Sequence, residues 1–278
     1  MLWTMLLLGC GRRVDVLQDK GSDTMVNLMQ RLSETYLQVD REVVVAVTGG
    51  GSGTGIKSLI DGTTDMANAS RSINAKELEQ AAANGADPID HVLAYDGLAV
   101  YVNADNPVRA LSFEELKCIY AADGGCDHWS DLGVTLDCAG SDEILKVGRQ
   151  NNSGTYEYFR EEVVGKHEKM ARTMDQSGTQ QVVDVVSTAT CAIGYGGMGY
   201  HAATARFVCL AREKGGGCSE PTVENVASGS YDFSRPLHVY TNGEPDPEVA
   251  DFLSWARSPD GQQVVLESGF VPLPEEGT

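Results

Sequence analysis

At 278 residues the chain is long enough to bury a sizeable core in one large domain or two medium ones, and its composition is that of an ordinary globular protein. Its formal net charge of -19 argues against nucleic acid or an anionic membrane surface as partner, because both would be repelled across the Debye length. A small anion is not excluded, since hydrogen bonds and one or two arginines at contact distance outweigh distant, screened carboxylates.

The chain opens on an apolar run, Met1 to Leu8, which is too short to span a bilayer and lacks a basic start. It reads as the end of a signal peptide. Leu7-Leu8-Gly9-Cys10 resembles a bacterial lipoprotein cleavage box, in which Cys10 would carry the lipid that anchors the protein outside the cytoplasm. Residues 11–20 read as a short linker into a first strand. Gly21-Ser22-Asp23-Thr24 then precedes a helical pattern of Met25, Leu28, Met29, Leu32 and Tyr36.

Next, the β-branched run Val43 to Val47 breaks into Gly49-Gly50-Gly51-Ser52-Gly53-Thr54-Gly55 and resumes with Ile56, Leu59 and Ile60, the pattern of a buried strand, a tight turn and a helix. A P-loop needs Gly directly before Lys-Ser, but Ile56 separates Gly55 from Lys57. A nucleophile elbow needs Gly two residues after Ser52, where Thr54 stands. Neither nucleotide nor ester hydrolysis is signalled. Asp65 to Ala69 is a short strand ending in Ser70-Arg71, and Asn74 with Glu77 is a capping box opening a helix that runs to about Gly85. This β-α-β-α-β-α order predicts an α/β fold with a mostly parallel sheet and a ligand at the carboxyl ends of its strands.

Val92 to Val102 is strand-like but interrupted by Asp96-Gly97, and a buried strand seldom carries a lone carboxylate. Asp96 is therefore expected to have a partner: Arg71, a backbone donor or the ligand. Ser112 with Glu115 caps a helix, Cys118 to Cys138 is loop-rich, and Leu145 to Arg149 is a strand. It enters Asn151-Asn152-Ser153-Gly154-Thr155, followed by the helical Tyr156, Phe159 and Val163. A helix over Gln180 to Ser187 and a strand from Cys191 to Tyr195 repeat the alternation. Residues 201–230 read as irregular, Leu237 to Tyr240 as a strand, and Pro247 to Arg257 and Asp260 to Glu267 as helices, the second stopped by Gly269.

With Cys10 lipidated, six cysteines remain (Cys118, Cys126, Cys138, Cys191, Cys209 and Cys218), an even number suited to three disulfides that staple one lobe and not the other. Their connectivity is open. A zinc site competes, but there is no Cys-x-x-Cys pair and the histidines are scattered.

Three turns thus place small hydroxyl residues at helix starts: Ser22, Asp23 and Thr24; Gly51, Ser52, Gly53 and Thr54; Ser153, Gly154 and Thr155. Any one of them is explained by N-capping alone. Three, with Arg71 and Arg149 nearby, predict one anion pocket built from hydroxyls, first-turn N–H groups and guanidinium forks. No catalytic constellation or metal cluster is apparent, and no cofactor is implied.

With these residues in view, the chain resembles, over nearly all its length, the phosphate-binding protein of the bacterial ABC-type phosphate uptake system. The resemblance rests on Gly21-Ser22-Asp23-Thr24, Gly49 to Ile56, Ser70-Arg71, Asp96 to Val100, Arg149 with Ser153-Gly154-Thr155, Ala192 to Tyr195, Arg235-Pro236-Leu237 and Ser258 to Gln262. It implies a two-lobed Venus-flytrap fold of the type II periplasmic binding protein kind, each lobe a mixed, mostly parallel sheet flanked by helices. Residues 1–12 would be the signal and anchor, 13–98 plus 237–278 one lobe, and 99–236 the other, with crossings near Asp96 to Val100 and Arg235 to Leu237. In the family, the groups matching Thr24, Met25, Ser52, Arg149, Ser153, Gly154 and Thr155 hold the phosphate; Ser70 completes the expected set.

Two departures matter. Many members have Ser-Asp where this chain has Ser70-Arg71, and that aspartate accepts the proton of hydrogen phosphate; the resemblance to a branch that has Ser-Arg together with Asp-Gly at the hinge, as in Asp96-Gly97, implies that Asp96 would take this role. Asn151 replaces an aspartate that partners the binding arginine in some members, which would leave Arg149 a stronger positive centre. The resemblance implies binding without catalysis by a monomer that delivers phosphate to a membrane permease and ATPase, touching the membrane only through its lipid. Another oxyanion (sulfate, molybdate or arsenate), hydrolysis of phosphate esters, and a sensory partner are the alternatives.

Overall fold

A computed structural model describes residues 14–274. The stretch read as a signal, with Cys10, lies outside the described residues. β1 (Asp15–Gly21), α1 (Val26–Val39), β2 (Val43–Thr48), α2 (Ser52–Ile60), β3 (Met66–Ala69) and α3 (Ala75–Asn84) follow in the predicted alternation. Then come β4 (Pro88–Asn103), β5 (Ala110–Ser112), α4 (Phe113–Tyr120), β6 (Leu145–Arg149), α5 (Gly154–Phe159), β7 (Met174–Gln176), α6 (Thr179–Thr188) and β8 (Ala192–Gly197). The last part holds β9 (Ala205–Phe207), β10 (Cys209–Ala211), β11 (Cys218–Ser219), α7 (Val223–Ala227), β12 (Ser234–Asn242), α8 (Pro247–Ala256) and α9 (Pro259–Glu267).

The main sheet runs β2-β1-β3-β12-β4-β8-β6-β7, with β9 also paired to β4. β1 is parallel to β2 and β3, and β6 is parallel to β7 and β8, so each half carries parallel strands whose carboxyl ends open toward turns. β4 joins the halves: its first part is antiparallel to β12, with Asp96 opposite Arg235, and its second part is antiparallel to β8.

The apolar residues sort accordingly. One core gathers Val100, Leu116, Trp129, Val182 and Ile193, with Phe159 stacked on Tyr195 at 3.8 Å between ring centres. A second gathers Leu17, Leu28, Val45, Leu93, Leu237, Phe252 and Phe270 from the two ends of the chain. A third, smaller one lies around Ile56, Leu59 and Tyr240. The result is a two-lobed α/β fold.

Local chemistry sets the element ends. Asn74 and Glu77 form the predicted capping box at 3.0 and 2.9 Å, and Ser112 with Glu115 forms another. Two expectations need correction. The stretch read as a linker is mostly β1 itself: its inward positions carry Leu17, Asp19 and Gly21, while Val14 and Val16 face solvent, so the apolar alternation is inverted. Residues 201–230 are not wholly irregular, but contain β9, β10, β11 and α7. Their two- to five-residue lengths are too short to leave a periodic signal.

All six cysteines of the described residues are bridged, Cys118 to Cys126, Cys138 to Cys191, and Cys209 to Cys218. The second closes a span of 53 residues and the others spans of 8 and 9. Loop-closure entropy gives the long bridge about 4 kcal/mol and each short one about 2.5 kcal/mol. Replacing Cys138 and Cys191 together by serine should therefore lower the urea midpoint more than replacing either other pair; equal losses would contradict that ordering.

Candidate anion-binding site

The turns leaving β1, β2 and β3 in one half face the turn leaving β6 in the other. Ser22, Thr24, Ser52, Ser70, Asp96, Arg149, Ser153, Thr155 and Arg235 are all at most 3% exposed. So many fully buried polar side chains require partners. The first turn donates from Ser22 Oγ to Ser70 Oγ at 3.0 Å, and brings Thr24 Oγ1 to 2.9 Å from Thr155 Oγ1 of the opposite half. Ser52 Oγ accepts the Ser70 N–H at 3.1 Å. Ser153 Oγ caps α5 by accepting the N–H groups of Thr155 and Tyr156, which leaves its own hydroxyl hydrogen free to donate.

Two glycines make this closeness possible. Gly51, at φ +90°, begins α2 where a Cβ would come within 2.6 Å of the Asn152 carbonyl oxygen. At Gly154 a Cβ would meet Ser52 Oγ at 2.5 Å and Ser70 Oγ at 2.8 Å. The halves meet directly here: Gly53 N–H donates to Asn152 O at 3.3 Å, and Asn152 Nδ2 donates to Gly50 O at 2.8 Å and approaches the Thr54 hydroxyl at 3.4 Å. Tyr200 reaches across to donate to the main-chain oxygens of Asp23 and Thr24. Met25, fully buried, closes the first turn through its N–H to Ser22 O.

Arg149 donates to Thr179 Oγ1 at 3.1 Å, Ser177 O at 2.9 Å and Asp23 Oδ2 at 3.2 Å. Burial pulls its pKa below the ordinary arginine value; Asp23 opposes this, and the positive charge of Arg235 adds to the fall. The expectation that Asn151 leaves Arg149 without an acidic partner is thus corrected, since Asp23 supplies one from the first turn. The Asp23 carboxylate also accepts the Gly50 N–H at 2.9 Å, so toward an anion this residue offers only its main chain.

Arg71 is engaged elsewhere along most of its fork. It meets Glu77 at 2.7 and 2.8 Å, Ser72 O at 2.9 Å and, across the cleft, Glu157 at 2.5 Å. Burial works against its charge, but Glu77 and Glu157 outweigh burial and its pKa rises.

Asp96 finds its partner in Arg235 (3.0 Å) and the Met198 N–H (3.2 Å), not in Arg71. Burial pushes its pKa up, while Arg235 and the Met198 N–H pull it down. Arg235 and Thr179 had not been picked out from the sequence as site residues. The sequence places Arg235 only in the Arg235-Pro236-Leu237 segment at a crossing between lobes, and nothing in one sequence pairs it with Asp96, 139 residues away.

Two polar atoms of the site, Arg149 Nε and Arg235 Nη1, are buried without a hydrogen-bond acceptor. Together with the hydroxyls and N–H groups around them, they make a donor-rich cage that suits a compact anion.

Comparison with known proteins agrees with this chemistry. The PBP superfamily domain matches residues 12–260. The phosphate-binding protein PstS of Pseudomonas aeruginosa PAO1 is 36% identical over 269 residues, spanning 93% of this chain and 83% of that protein. The PstS of Staphylococcus saprophyticus is 30% identical over 262 residues, spanning 92% and 80%. Among solved structures, one from Clostridium perfringens with bound phosphate superposes with a TM-score of 0.82 at 26% identity, over 94% of this chain and all of that one. An ABC-type phosphate transport receptor from Vibrio cholerae superposes with a TM-score of 0.70 at 27% identity, over 93% of this chain and all of that one.

Proposed function

We infer that this chain, which belongs to the PBP superfamily and within it to the phosphate-binding proteins, binds inorganic phosphate between its two lobes and delivers it to an ABC-type membrane permease. The observation that carries this reading is the convergence of buried hydroxyls from both halves on two arginines that each keep a donor without an acceptor. The phosphate contacts are the hydroxyls of Ser22, Thr24, Ser52, Thr54, Ser70, Ser153 and Thr155, the main-chain N–H groups of Asp23 and Gly154, and the charge of Arg149, with Met25, Gly51 and Gly53 shaping the turns through N–H bonds to Ser22, Gly21 and Asn152. Arg71, paired with Glu77 and Glu157, ties the turn after β3 to α5 beside the site. The lobes are 13–98 plus 237–278 and 99–236, a division consistent with the separate cores on either side of β4 and β12. The protein works outside the cytoplasm, where its disulfides persist, anchored through Cys10. Its role is capture and delivery rather than turnover.

Selectivity follows from Asp96. An ionised carboxylate accepts the P–OH hydrogen of hydrogen phosphate, whereas sulfate has no proton to give and would set an acceptor against an acceptor. Titration calorimetry with phosphate, arsenate, molybdate and sulfate tests the reading: phosphate should bind far more tightly than sulfate, and equal binding would overturn it. In Asp96→Asn the preference for phosphate over sulfate should shrink by about 10- to 100-fold, because the new amide can donate to sulfate. An unchanged ratio would remove Asp96 from the acceptor role.

A further inference from the structure

We propose that Arg235 is a second arginine of the anion cage, one whose guanidinium is shared between the bound anion and Asp96 and which sets the charge state on which selectivity depends. The proposal rests on the phosphate reading above and adds a residue to it. Arg235 stands on β12 directly opposite Asp96 on β4, at the strands common to both halves. Its side chain is 1% exposed.

The guanidinium is divided cleanly. Its Nε and Nη2 edge faces Asp96, at 3.4 and 3.0 Å, and Nη2 also donates to Thr155 Oγ1 at 2.8 Å and lies 3.5 Å from Thr24 Oγ1. Those two hydroxyls come from opposite halves and lie 2.9 Å from each other, so the tip of Arg235 reaches the place where the halves meet. Nη1 has no acceptor although it is buried. A strut that merely neutralised Asp96 would be complete with its first edge; Nη1 keeps both of its hydrogens uncommitted beside the Thr24 and Thr155 hydroxyls, a buried donor that suits an oxyanion.

Charge points the same way. Arg235 is close enough to Arg149 to push that guanidinium toward losing its proton, so two buried cations repel each other across the cage. An anion held between them relieves that repulsion. Burial raises the Asp96 pKa and Arg235 pulls it back down, so this arginine favours the ionised form that accepting a ligand's proton requires. Without this arginine, burial is less opposed and favours a protonated Asp96, a donor that would welcome sulfate.

The test begins with wild-type protein and inorganic phosphate by titration calorimetry. Failure to bind there counts against the phosphate reading, not against Arg235. Given binding, Arg235→Gln should weaken phosphate by about 100-fold or more, and its phosphate-to-sulfate ratio should fall to that of Asp96→Asn. Adding Arg235→Gln to Asp96→Asn should weaken phosphate further and leave the ratio where it is. Arg235→Lys, which keeps a cation beside Asp96 but loses the fork, should retain the ratio and lose about tenfold in affinity. A folded Arg235→Gln with wild-type affinity and ratio, altered only in its unfolding temperature, would reduce Arg235 to a strut and overturn the proposal. If the variants do not fold, guanidinium NMR of the sequentially assigned wild type decides. The Arg235 resonances should shift when phosphate is added, and unmoved resonances would refute the contact.

Discussion

Arg149→Ala should weaken phosphate binding by about 1,000-fold or more while leaving the unfolding temperature of ligand-free protein near that of wild type. The two halves of that result have separate causes. In a loaded site Arg149 would supply positive charge at a position 1% exposed to solvent, where water cannot screen it. Removing it also leaves the Asp23 carboxylate, accepting from Gly50 alone, to repel the incoming anion. In the ligand-free protein the same arginine is a buried cation whose desolvation is only partly offset by Asp23, Thr179 and Ser177, so its loss costs little. Asp23 keeps 19% exposure and can be hydrated when its partner is gone. Calorimetry reads the affinity, and a thermal scan with and without phosphate reads the rest: the variant should lose the phosphate-induced rise in unfolding temperature. If the three turns were only helix caps around a structural arginine, the pattern would reverse, with a large drop in ligand-free stability and little change in affinity.

The parts of this site legible in the sequence are those whose chemistry is local. Ser153 before Gly154 and Thr155, or Gly51 before Ser52, announces a helix start within four residues, and the structure builds each start there. The β-α-β alternation gives the direction of the strands and so the end at which those turns gather. Asp96 is legible as a problem, a carboxylate in a buried strand, but its solution is not, because β12 returns to β4 only after the whole second half has been threaded. The same limit explains Asn151: matching it to the aspartate of some family members implies a more positive Arg149, whereas folding brings Asp23 in from 126 residues away. Disulfide pairing is likewise combinatorial, since six cysteines allow 15 connectivities and spacing selects none of them.

β1 was obscured by the residue that now bears the second large prediction. Asp19 points inward at 1% exposure, accepts from Asn68 Nδ2 at 2.5 Å, and leaves its own Oδ1 and the Asn68 Oδ1 without partners. Burial pushes its pKa up to about 8, against a smaller downward pull from the Asn68 hydrogen bond. The folded protein therefore holds a proton that the unfolded chain has released, throughout the window from about pH 4 to about pH 8. Fewer protons bound in the unfolded state means stability falls as pH rises across that window, by up to about 1.4 kcal/mol per pH unit from this group, and is level outside it.

Asp19→Asn removes the titration and supplies both an oxygen for Asn68 Nδ2 and an N–H for Asn68 Oδ1. The variant should be more stable than wild type at pH 7 by on the order of 2 kcal/mol, with the gap widening toward pH 8 and closing below pH 4. Urea unfolding of the two proteins at several pH values across that window reads the difference directly, and a gap independent of pH would show that Asp19 is ionised in the fold. Phosphate affinity should stay as it was. The turn bearing Ser22 hangs on the main chain of Asn68, through the Ser22 N–H to Asn68 O bond at 3.0 Å, and the substitution leaves that bond in place.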